Sequence, residues 1–384
     1  MKTEPRKNGC LWQVLLMFVF TRIVLTIIGV LSIFYFPSAR RIFHITDLQY
    51  HTAQPAVLEM WARWDSEWYL LIADHGYDSY PYFKDFGHGK YLPQNTANFF
   101  PCYPLLIRFV GHLVRNNVLA GVVISNISAL FFLYFLYKLG CKWFDDESAF
   151  RGSLFCLLFP TSFFLSAVYS ESLFLAALLG CFYFLEEKRI LPAVVACSIA
   201  VMTRPQAVLA APALIWLAGQ KMEERRLGVC SAMTAAVAIP FCGHLWFLQE
   251  TFGSYHWIFG GQDYFRGGFH YPLYALVRFA QSQIAIHGQH NSLIDFSFAC
   301  FSLLLLVLSV RKIPGPYYLY SIIIILFPLS SSLFSFSRLC LVNFPLFLYL
   351  GHRLTGRFAF LVQVSFAMLL AFFMAAFANG YWVG

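Results

Sequence analysis

The chain has 384 residues, of which 59% are hydrophobic and only 12% charged. Soluble domains carry about 25% charged residues, so too few charges are present to coat a soluble surface, and the composition excludes an ordinary soluble domain. The net charge of +8 is not a nucleic-acid signature, because Lys and Arg fall in short clusters between apolar runs, the arrangement that sets membrane topology.

In chain order, the first element is an apolar run from Leu11 to Phe36 behind the basic residues Lys2, Arg6 and Lys7. It exceeds the roughly 7–15 residues of a signal-peptide core and ends in no small-residue cleavage site, so a retained transmembrane helix is expected. Further basic clusters follow at Lys138, Lys142 and Arg151, at Lys188 and Arg189, at Lys221, Arg225 and Arg226, at Arg311 and Lys312, and at Arg353 and Arg357. Placing all of them on the cytoplasmic side predicts about eleven crossings in a single membrane domain over residues 1–384. The crossings are expected at 11–36, 118–140, 150–167, 169–186, 190–203, 204–219, 228–250, 292–310, 315–334, 338–352 and 357–379. The fold class is therefore an all-α polytopic membrane protein.

Two pairs of crossings are short and split around polar residues, at Ser166 to Glu171 and at Thr203 to Pro205. Either these are tight loops or they are broken helices lining a cavity, since irregular backbone survives at membrane depth only where protein or water satisfies it. Two long segments, 37–117 and 251–291, are predicted to lie outside the cell membrane as extracytoplasmic loops. Within the first, Phe99 to Val114 reads as an interfacial helix.

The ten Cys include Cys156, Cys181, Cys197, Cys242 and Cys300 inside apolar runs, with no CxxC spacing. Small buried hydrophobes are the expected reading. Eleven His include His44, His51, His75 and His88 in the first loop. No HxH or HExxH spacing occurs, so no metal or other cofactor is expected.

The densest polar cluster is Arg63-Trp64-Asp65-Ser66-Glu67-Trp68-Tyr69. Its apolar positions recur at helical spacing, which suits an amphipathic helix at the interface. The acids of such a helix are either simply solvated or turned into one cleft. Glu171, Arg204 and Arg338 each interrupt an apolar stretch. Ionisable groups at such depth are costly and mark function or mutual pairing. All three fall on the outer side of the predicted topology, as do Asp65 and Glu67, although only basic clusters were used to orient it. Arginine fits phosphate oxygens through a planar fork of donors, and a carboxylate can take a proton from a sugar hydroxyl. Together they suit transfer of a sugar from a lipid phosphate to an alcohol.

Five stretches in order carry a family resemblance: Arg63 to Tyr69 with Ile72-Ala73 and Gly76-Tyr77, Phe99 to Leu105, Tyr169 to Phe174, Thr203 to Gln206, and Ser337-Arg338 with Asn343 to Phe347. With these the chain resembles the PIG-V-like mannosyltransferases, which include the second mannosyltransferase of GPI-anchor synthesis. The resemblance implies a GT-C-type bundle and an inverting enzyme. It implies a polyprenyl- or dolichyl-phosphate-mannose donor, and a glycolipid or other extracytoplasmic acceptor. It puts Asp65 in the position of the general base, with Glu67 as second acid. Arg204 and Arg338 become candidates for the donor phosphate, and Trp64, Tyr69, Glu171 and Gln206 for lining the substrate. Chain length and the lack of a lysine-rich retrieval tail point to a bacterial plasma membrane with the site outside, the alternative being an endoplasmic reticulum membrane with a luminal site. The rival function is a transporter or lipid flippase, which would also have broken helices and buried charges.

Overall fold

The computed structural model describes residues 10–38, 54–77, 82–85, 91–94, 96–259, 266–286, 288 and 290–383. His44, His51 and His88 lie outside them. The described chain is helical apart from one antiparallel hairpin in the first loop, in which β1 (Tyr82–Asp85) pairs with β2 (Tyr91–Gln94).

The helices are α1 (Leu11–Tyr35), α2 (Ala56–Glu59), α3 (Ser66–His75), α4 (Cys102–Val114), α5 (Asn117–Trp143), α6 (Asp146–Leu158), α7 (Glu171–Glu186) and α8 (Ile190–Thr203). They continue as α9 (Gln206–Lys221), α10 (Arg226–Phe252), α11 (Tyr274–Ala280), α12 (Leu293–Leu308), α13 (Gly315–Leu329), α14 (Phe336–Cys340), α15 (Phe344–Arg353) and α16 (Gly356–Ala378). Four are long and apolar enough to cross a membrane: α1, α5, α10 with its lead-in turn, and α16. The chain is thus an integral membrane protein.

Several of the other predicted crossings are shorter helices than the apolar runs suggest. The run 150–167 stops being α-helical at Leu158, where Phe159 turns extended (φ −56°, ψ 137°). Pro160 follows, and the residue before a proline is pushed out of the helical region. A short 3-10 turn, Ser162–Leu165, then leads to α7. The run 338–352 is likewise divided into α14 and α15, the latter opening with Pro345 in its first turn. Proline supplies no N–H to continue a preceding helix and suits a first turn.

The core is built on α7, which packs against α5 and α8, and on α15, which packs against α6. Every residue from Phe344 to Gly351 is buried. The α6–α15 contact depends on two glycines: a Cβ on Gly351 would lie 2.2 Å from the backbone nitrogen of Gly152. Small residues let membrane helices approach to backbone contact in this way. On the outside, α1 exposes Leu16, Phe20, Ile23, Ile27 and Leu31, and α16 exposes Phe358, Phe360, Leu361 and Phe372. These faces are apolar because lipid is their solvent. Cys156, Cys181 and Cys197 are buried, whereas Cys242 and Cys300 are exposed on such faces. The α4 helix buries Tyr103 and Ile107 and exposes Leu105, Phe109 and Leu113.

One end of the bundle gathers the connections that carry the basic clusters. Lys142 pairs with Glu187 at 2.6 Å and Lys221 with Glu186 at 2.6 Å. The Tyr317 hydroxyl donates to Glu186 at 2.9 Å, and Arg151 donates to the Gly351 carbonyl at 2.8 Å. Asp145 caps α6 by accepting from the Ser148 N–H at 2.9 Å. The opposite end holds the start of α7, the end of α8 and α14.

Candidate functional site

At that opposite end, four charged residues from four distant stretches converge. Glu171 opens α7, Arg204 follows α8, Arg338 sits on α14, and Asp65 precedes α3. Arg204 Nη1 lies 2.5 Å from Glu171 Oε1. Arg338 Nε donates to the same Glu171 oxygen, and Arg338 Nη1 reaches Asp65 Oδ2 at 2.8 Å. A single carboxylate oxygen therefore lies against both arginines, hydrogen-bonded to Arg338 and within ion-pair distance of Arg204, while Glu171 Oε2 and Arg204 Nη1 are buried with no hydrogen-bond partner.

Exposure orders the four. Glu171 is 1% exposed and Arg338 8%, Arg204 is 12%, and Asp65 is 34%. Glu171 is the buried anchor, and Asp65 is the carboxylate at the mouth. The Arg338 guanidinium also lies over the ring of Tyr169, 4.5 Å from its centroid, and 4.9 Å from that of Phe164. Cation–π contacts strengthen as the cation is desolvated.

The loop carrying Asp65 is stitched to the segment that carries Glu171. Val168 N–H donates to the Trp61 carbonyl at 2.9 Å. The Tyr169 hydroxyl donates to the Arg63 carbonyl at 3.0 Å and accepts from the Asp65 N–H at 3.2 Å. The Tyr69 hydroxyl bonds Ser170 Oγ at 2.7 Å. Arg63 reaches the other way and donates to the Ala378 carbonyl at the end of α16, at 3.2 and 3.0 Å. A cation at a helix C-terminus also meets the negative end of the helix dipole.

Two strained turns flank the charges. Trp64 has φ 58° and Ser335 φ 59°. For a bulky residue such as Trp64 the left-handed region is an outlier that the surroundings must hold in place. Trp382 supplies that support: Trp64 meets it edge-on at 5.5 Å, and Phe334 stacks on it at 5.9 Å.

The predicted site residues divide accordingly. Asp65, Glu171, Arg204 and Arg338 come together. Gln206 joins them by accepting from Arg204 Nε at 3.2 Å. Trp64 is at the edge of the cluster. Tyr69 is buried and packs on Phe99 and Tyr103, so it supports the wall beneath the cluster. Glu67 sits in the first turn of α3, half-buried, and is not one of the ion-paired four. Sequence reasoning missed the bracing by Tyr169, Arg63 and Trp382. It also missed Arg22, a buried arginine of α1 that donates to the Ser162 carbonyl at 2.9 Å in the turn leading to Glu171. An arginine inside the first apolar run was a readable signal. Among the described residues no group of three or more His, Cys, Asp or Glu is placed to hold a metal ion.

Depth follows from helix length. The 16 residues of α7 rise about 24 Å, and a bilayer core is about 30 Å thick. From the Glu186 end, α7 thus reaches Glu171 over less than the thickness of a bilayer core. The arrangement can hold an anion against arginines and offer one carboxylate oxygen to a hydroxyl above them.

The sequence profile described as Mannosyltransferase (PIG-V) matches residues 11–224. The human GPI alpha-1,6-mannosyltransferase 2 is 32% identical over 125 residues, covering 29% of this chain and 22% of that protein. GPI mannosyltransferase 2 of Drosophila pseudoobscura pseudoobscura is 30% identical over 123 residues, covering 29% of this chain and 24% of that protein. The matches thus span less than a quarter of the length of either relative. The apo oligosaccharyltransferase of Archaeoglobus fulgidus aligns with 95% of this chain and 56% of its own, at 10% identity and a TM-score of 0.43.

Proposed function

The chain belongs to the PIG-V mannosyltransferase family, and we propose that it is a membrane glycosyltransferase of GT-C type. In this reading it moves a mannosyl residue from a polyprenyl- or dolichyl-phosphate donor to a hydroxyl of a glycolipid or other extracytoplasmic acceptor. The observation that carries the reading is the ion-paired cluster of Asp65, Arg338, Glu171 and Arg204, with Asp65 as its most exposed member. Its recess below a full bilayer crossing suits a donor that is itself a lipid. The end opposite the basic connections is the extracytoplasmic side.

The acceptor oxygen attacks the anomeric carbon of the mannose as the bond from that carbon to the phosphate oxygen breaks. The electron pair leaves with the phosphate, and the hydroxyl proton passes to the Asp65 carboxylate. Attack opposite the leaving group inverts the anomeric centre. Arg338 contributes by its position: one negative charge vanishes at Asp65 as one appears on the phosphate, and a fixed guanidinium beside both needs no reorganisation. Glu171 anchors the two arginines, and Glu67 orients the acceptor or tunes Asp65.

Asp65→Asn keeps the size of the side chain but removes the proton acceptor. Turnover by the purified variant should fall about 10²–10⁴-fold, with expression and donor binding kept, and Glu67→Gln should cost less. Near-normal turnover of Asp65→Asn would remove Asp65 from the reaction. A dead Glu67→Gln beside an active Asp65→Asn would exchange their roles.

A further inference from the structure

Arg22 is the only charged residue of α1 and falls near the midpoint of its 25 residues. An ionisable group in the middle of a helix long enough to cross a membrane is costly and marks a function. The side chain is buried, at 7% exposure. Its described partners are neutral. Nη1 donates to the Ser162 carbonyl at 2.9 Å and lies 3.5 Å from Ser166 Oγ, and the guanidinium lies 5.1 Å from the centroid of the Phe18 ring. Ser166 Oγ is held in turn, donating to Asn126 Oδ1 of α5 at 2.8 Å. A buried cation set against neutral groups is a poor way to stabilise a fold.

What Arg22 holds is the irregular backbone between α6 and α7. In apolar surroundings such backbone survives only where protein or water satisfies it. The same segment seats Arg338. Thr161 Oγ1 donates to the Ser337 carbonyl at 3.1 Å, next to Arg338 in the chain. The Arg338 guanidinium lies over the rings of Phe164 and Tyr169, and Glu171, where α7 begins, accepts from Arg338 Nε. Ser172 Oγ donates back to the Leu165 carbonyl at 2.5 Å, which ties the turn to the start of α7. Arg22 thus fastens α1, and through Ser166 also α5, to the segment on which Arg338 rests.

We propose that Arg22 is a positioning residue: it fixes the turn Ser162–Leu165 so that Arg338 is held between Asp65 and Glu171. What Arg338 does there rests on the transferase reading. In that reading the guanidinium must stay in place while negative charge passes from Asp65 to the phosphate. A displaced guanidinium therefore costs turnover more than donor binding.

The test compares full-length wild type, Arg22→Met, Arg22→Lys, Thr161→Val and the Arg22→Met/Thr161→Val double variant in lipid nanodiscs. Met fills the space with an apolar chain and donates nothing. Turnover by Arg22→Met should fall roughly ten- to a hundredfold, with donor KM changed far less and the unfolding temperature equal or higher. Lys also donates to a carbonyl and should restore part of the turnover. Thr161→Val breaks the next link and should lower turnover likewise. The double variant should lose little more than the worse single one, because both act through one turn. Amide hydrogen exchange should quicken at residues 160–166 and 335–340 in Arg22→Met, and stay as in wild type at 142–151. Unchanged turnover and exchange overturn the proposal, as do additive losses in the double variant. A loss in donor KM alone overturns it by moving Arg22 to donor binding. Failure of Arg22→Met to fold, or a lower unfolding temperature with faster exchange at both ends, also overturns it, since Arg22 then holds the whole fold. Exchange needs no transfer: a wild type that moves no mannose sinks the transferase reading, while loosening confined to the Arg338 end in Arg22→Met leaves the positioning role standing.

Discussion

The end of the bundle that carries Lys142, Glu186, Glu187 and Lys221 pairs its charges one to one, and Lys142 and Glu187 are 34% and 39% exposed. The end that carries Asp65, Glu171, Arg204 and Arg338 binds two arginines to one buried oxygen and leaves the second carboxylate oxygen without a partner. Water screens the Lys142–Glu187 pair, and exposed pairs contribute about 0–1 kcal/mol. The arrangement at the second end is costly to desolvate and is weak evidence for stability by itself. The shared partner of the two arginines makes them one unit beside the half-buried Asp65.

Three substitutions sharpen that contrast. Glu171→Gln removes the common partner and leaves Arg204 and Arg338 buried with too little negative charge. Breaking a buried pair costs about 3–5 kcal/mol, so unfolding in detergent should shift by that amount and activity should fall with it. A neutral outcome would mean that the arginines relax onto other groups. Arg204→Ala keeps the Glu171–Arg338–Asp65 chain and removes one phosphate candidate. Donor KM should rise roughly ten- to a hundredfold, the equivalent of about 1.5–3 kcal/mol, with Lys rescuing only part. Normal donor kinetics in a folded variant would make Arg204 purely structural. Glu187→Gln at the other end should change stability by about 0–1 kcal/mol and leave turnover alone. A large loss there would erase the distinction between the two ends.

The sequence shows the outline of this arrangement because an ionisable residue in an apolar run stands out. Asp65, Glu171, Arg204 and Arg338 could each be picked out singly, and the basic clusters placed them at one end. Helix positions followed where polar punctuation was sharp, as at Ile190–Thr203. The breaks at Pro160 and Pro345 were legible in principle but were outweighed by the apolarity around them. Which face of each helix meets lipid was not legible, since core-facing and lipid-facing residues are both apolar; Phe20 and Phe18 differ only in burial. Nor was the bracing of Trp64 by Trp382, which joins the first long loop to the far end of the chain without any periodic signal.

The central claim is that this cluster performs a transfer. The direct measurement gives purified, reconstituted protein a polyprenyl-phosphate-mannose labelled in the sugar, together with a candidate glycolipid acceptor. The prediction is one polyprenyl phosphate released for each labelled mannose joined to the acceptor, with inverted anomeric configuration and about 10²–10⁴-fold slower turnover in Asp65→Asn. Intact donor crossing the bilayer with no label reaching any acceptor would contradict it and favour a lipid flippase.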